Sequence, residues 1–148
     1  MMANYWPHLL AMLVGGALTV QVGMNATLAR VIGSPLWASA ASFAIGLLAL
    51  VAFAVSAGSR ASTGNFAQVP AWAWMGGLLG AVYVASVTVL GPRLGGMTMV
   101  ALVIAGQLLV ALVVDQFGIL GYPQIPVTPT RLLGAALLLA GALLVMRR

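Results

Sequence analysis

One carboxylate, Asp115, and six arginines are the only fully charged side chains in 148 residues, and they fall almost entirely between long apolar runs. That pattern leaves lipid as the solvent for most of the chain. A soluble domain needs about a quarter of its residues charged, whereas here the share is 5 %, with 63 % hydrophobic residues and a mean hydropathy of +1.14. Five runs are long enough to cross ~30 Å of hydrocarbon, which takes about 20 helical residues: roughly 7–29, 35–57, 70–90, 96–116 and 129–146. They predict an all-α integral membrane protein, with residues 1–148 forming a single transmembrane domain. The period-two alternation of a membrane β-strand is missing. Helices then remain as the way to satisfy backbone groups in lipid.

Four of the runs open on proline, at Pro7, Pro35, Pro70 and Pro129. The first helical turn tolerates proline because its missing N–H would have been unpaired anyway, and Ser34 and Thr128 stand in N-cap position before their prolines. Short connections make neighbouring helices antiparallel. Nothing before Arg30 is basic, so the first run is expected to be a retained helix and not a cleaved leader. Arg60 and Arg131 fall on the face that holds the N-terminus, while Arg30, Arg93, Arg147 and Arg148 fall on the other. Only the last two residues supply the difference, so by the positive-inside rule the chain is nearly undecided and could insert both ways.

The same residues exclude several classes of function. With no cysteine there is no disulfide, thiolate metal site or cysteine nucleophile. The lone histidine, His8, lies beside Pro7 at a membrane interface, so neither a metal site nor a Ser-His-acid triad can be assembled. No enzymatic chemistry and no cofactor are expected. Single scattered arginines without lysine do not make a stripe that tracks phosphates, which excludes nucleic acid.

What remains is a small set of polar groups inside apolar helices. Gln21 and Asn25, four apart, share one face of the first helix, and Gly15, Thr19 and Gly23 repeat along roughly the opposite face as a ridge for close packing. Gly76 and Gly80 precede Tyr83 in the third helix, and Gln107 lies near the centre of the fourth. Gln21, Asn25, Tyr83 and Gln107 are thus expected to line a polar site near the bilayer midplane, where transporters bind substrate. The tryptophans Trp6, Trp37, Trp72 and Trp74 lie near helix starts, as an interfacial belt does, and Trp37 and Trp74 are candidates to turn inward onto substrate. Asp115 closes the fourth helix, and an ionisable group there is either a proton-coupling site or an ion-pair partner for Arg131. Gly134 and Gly141, seven apart, mark the fifth helix for packing.

The order Gln21-xxx-Asn25, Ser34-Pro35, Ser42-Phe43-xx-Gly46, Trp74-xx-Gly77, Gly91-Pro92-Arg93-Leu94-Gly95, Gly106-Gln107 and Asp115-xx-Gly118 resembles the small YdcZ-like transporters of the drug/metabolite transporter superfamily, over nearly the whole chain. The resemblance implies a five-helix protein of the bacterial inner membrane, related to the small multidrug resistance transporters and working as an antiparallel homodimer or paired homologue. The balanced arginines agree with dual topology, since an odd helix number puts two oppositely inserted copies into inverted-repeat relation. Those relatives use a glutamate in the first helix for proton-coupled cation exchange. This chain has amides there, which cannot titrate. The expectation is therefore alternating access for a neutral or zwitterionic small solute, against two alternatives: an ion channel built as an antiparallel dimer, or a non-transporting membrane subunit of a larger complex.

Overall fold

The computed structural model describes residues 5–59 and 68–147. Arg60 and Arg148, two of the arginines weighed for orientation, lie outside the described residues. The described residues form five α-helices and no strand: α1 Trp6–Ile32, α2 Pro35–Ser56, α3 Ala71–Leu94, α4 Gly96–Phe117 and α5 Pro129–Met146. All five are long and apolar enough to cross a membrane, and between 6 and 17 % of each spanning window is buried, so most side chains face outward toward lipid. The chain forms two compact units, Met1–Arg93 and Leu94–Arg148.

In the first unit, α1 and α2 pack as a hairpin with a two-residue connection. Gly33 ends α1 in the left-handed region at φ 79°, and its N–H donates to the Ala29 carbonyl at 2.9 Å. Only glycine adopts that conformation without a steric cost. Ser34 then caps α2, its Oγ accepting from the Trp37 N–H at 3.3 Å, with Pro35 as the first helical residue. The residues buried on α1 and α2 are small or polar: Asn25, Ala26 and Ala29 on one, Ala38 and Ser39 on the other. Where lipid replaces water, helices associate through such close approach and through hydrogen bonds between them.

Helix α3 meets both α1 and α2 in this unit. Ser39 Oγ meets Thr88 Oγ1 at 3.5 Å. A methyl group built at Gly91 would lie 2.8 Å from Val22 Cγ1, so α1 and α3 touch where the side chain is missing. The sequence reading ends this helix at 90 and makes 91–95 a connection, yet α3 continues through Pro92 to Leu94. In a final turn proline unpairs one carbonyl, four residues back, and that loss is tolerated where the helix is about to stop. Gly95, at φ 82°, is the single residue before α4.

In the second unit α4 packs on α5. The buried residues of α5 are Ala135 and Ala142, one position beyond the two glycines marked for packing. Thr128 caps α5, accepting from the Arg131 N–H at 3.3 Å. The connection between the helices folds back on the end of α4. Gly118 turns the chain at φ 59°, the Ile125 N–H donates to the Asp115 carbonyl at 2.8 Å, and the Val127 N–H donates to Gln116 Oε1 at 2.8 Å.

Candidate functional site

The first unit holds a cavity of about 300 Å³ among its three helices. Helix α1 contributes Gln21, α3 contributes Val84, and α2 contributes Ser42, Phe43, Gly46, Leu47 and Leu50. Gln21 lies eleven residues from the end of α1, or about 16 Å at 1.5 Å per residue, and Val84 lies at nearly the same distance from the end of α3. The cavity is therefore near the middle of the spanning length. It is not sealed, since Gln21 is exposed and Phe43 is 40 % exposed.

Two polar groups in this wall lack partners. The hydroxyls of Thr19, Thr27, Ser39 and Ser56 each donate to a carbonyl within their own helix, at 3.3, 3.0, 2.9 and 2.9 Å. Among the described residues, neither the Ser42 hydroxyl nor the Gln21 carboxamide makes a hydrogen bond. The remaining wall is hydrocarbon. The arrangement can offer a guest one carboxamide, which carries a donor and an acceptor side by side, and one hydroxyl.

The other residues singled out in the sequence lie elsewhere. Asn25 is 5 % exposed, on the buried face of α1 with Ala26 and Ala29. Tyr83 is half-buried on α3 and is not part of the cavity wall, where its neighbour Val84 stands. Trp37 and Trp74 are 71 % and 60 % exposed, in the first turns of α2 and α3. Gln107 is exposed near the middle of α4, in the second unit. Ser42, Phe43 and Gly46 were legible as a motif of the resemblance but carried no site signal of their own.

Of the glycines marked for packing, a Cβ built at Gly80 would lie 3.6 Å from the Phe43 ring, while Gly15, Gly23, Gly76, Gly134 and Gly141 have nothing within 4 Å of a built Cβ. On α1 this leaves an open groove of about 690 Å³ along Val20, Gly23, Met24, Thr27, Leu28 and Val31.

At the end of α4, Arg131 Nη2 pairs with Asp115 Oδ2, and Arg131 Nη1 donates to the Ile125 carbonyl at 2.9 Å. The two side chains are 34 % and 18 % exposed. One guanidinium thus ties together the end of α4, the start of α5 and the connection between them. Among the described residues no group of three His, Cys, Asp or Glu side chains could hold a metal ion.

In comparisons with known proteins, a family model described as "Putative inner membrane exporter, YdcZ" matches residues 6–144. No curated protein and no solved structure matches the chain.

Proposed function

The chain belongs to the YdcZ family of multi-pass inner-membrane proteins, and from that membership we propose that it is a small-solute transporter working by alternating access as a dual-topology, antiparallel homodimer. The observation that carries this reading is the mid-depth cavity with its unpaired Gln21 amide and Ser42 hydroxyl. In an apolar medium such groups are costly unless a guest or water satisfies them, and polar groups inside a membrane ordinarily serve a pathway. Asn25, Tyr83, Trp37 and Trp74 in the first unit, and separately Gln107 in the second, are further candidates for contact with the solute. The open groove on α1, with Gly15 and Gly23 bare, is the surface offered to a second copy. The Asp115–Arg131 pair fastens the α4–α5 connection, its guanidinium also donating to the Ile125 carbonyl, and its role in this reading is structural.

The test is uptake into vesicles reconstituted with the full chain, across uncharged, zwitterionic and cationic solutes. The reading expects saturable uptake of one class above the protein-free rate, reduced at least tenfold by Gln21→Leu. No acceleration for any solute overturns it. Non-saturating flux at channel rates replaces it with the channel alternative.

A further inference from the structure

We propose that the cavity beside Gln21 takes an uncharged, single-ring compound bearing a lactam edge, a ring N–H next to a ring C=O. The inference rests on the transporter reading and adds the substrate class.

Charge is excluded first. Nothing in the cavity wall is ionisable, and the one acid of the chain, Asp115, is in the second unit. The arginines described on α1 and α3, Arg30 and Arg93, stand in last turns. A cation or a zwitterion would give up hydration without a countercharge at mid-depth, a cost that hydrogen bonds from one amide and one hydroxyl do not offset. Shape narrows the class further. Gln21 presents a coplanar donor and acceptor, whose complement is another planar amide edge that makes both bonds at once, as Gln does when it reads the edge of a base. The Phe43 ring forms a flat apolar wall on which a ring stacks. Gly46, one helical turn beyond Ser42, has nothing within 4 Å of a built Cβ, so the ring has room. A volume of about 300 Å³ is at the small end of ligand sites and suits a single ring in place of a larger amphiphile.

The experiment is equilibrium binding of radiolabelled uracil to the full chain in lipid nanodiscs, run beside vesicle uptake of the same compound. The competitors are doubly N-methylated uracil, phenylalanine as a zwitterion and tetraphenylphosphonium as a cation. Saturable uracil binding is expected, with competition by the N-methylated compound at least tenfold weaker than by uracil itself. Gln21→Leu is expected to weaken binding about tenfold, and Gly46→Leu, which fills the cavity, to abolish it. Phenylalanine or tetraphenylphosphonium bound through Gln21 while uracil is ignored would overturn the substrate class and leave the transporter reading standing. Uracil bound through Gln21 but never moved across the vesicle wall would uphold the class and overturn the transporter reading. No binding of any compound would overturn the class.

Discussion

Gln21 is exposed and makes no hydrogen bond among the described residues, so it contributes little to the fold that carries it. Gln21→Leu should leave the thermal midpoint in detergent unchanged or raise it while uptake falls, and a lowered midpoint would show that the amide is structural. Asp115 should behave in the opposite way. Its carboxylate is partnered by Arg131, and a partly exposed ion pair of this kind contributes up to about 1 kcal/mol. Asp115→Asn should lower the midpoint and leave the response of uptake to a pH gradient the same as that of the wild type; loss of a gradient response that the wild type shows would make Asp115 the proton site. Gln21 was legible in the sequence because an amide in an apolar helix needs a reason. Ser42 was not, since a helical hydroxyl normally turns back on its own carbonyl, as Ser39 does, and whether it does so is decided by its neighbours.

The apolar runs and the Ser-Pro and Thr-Pro pairs place the spans, because length against bilayer thickness and a cap before proline are both local properties. Contacts between spans are not local, and Gly91 illustrates the difficulty. Read as part of a connection, it is instead the point where α3 accepts Val22 of α1. Gly91→Ala should destabilise by about 1–3 kcal/mol through overpacking against a stiff β-branched side chain, and Val22→Ala added to it should recover part of the loss. Equal midpoints for Gly91→Ala and the wild type would mean that the helices do not meet there. In the other unit, Gly118 combines a left-handed φ of 59° with Gln124 Cβ 2.9 Å from a built methyl. Gly118→Ala should therefore loosen the connection, read as faster amide exchange over residues 119–127 with α4 itself unchanged.

Balanced arginines and an odd number of spans frame an expectation about the assembled protein, that copies insert in both orientations. The absence of cysteine makes it directly measurable. A cysteine in place of Tyr122, an exposed residue of the α4–α5 connection, should react with an impermeant thiol reagent from both sides of the membrane in comparable amounts. Labelling from one side alone would fix a single topology and remove the antiparallel dimer. How two copies meet was beyond the sequence, since a small-residue ridge says that something approaches closely and not what. The turn at Gly33 and Ser34 bears on how such a protein is made. Because it joins α1 to α2 through two residues with both helix ends already capped, the pair can leave the translocon as one folded hairpin. Such a hairpin would take its direction as a unit, from Arg30 beside the turn and from what emerges after it, so under dual insertion the later part of the nascent chain would share in the choice.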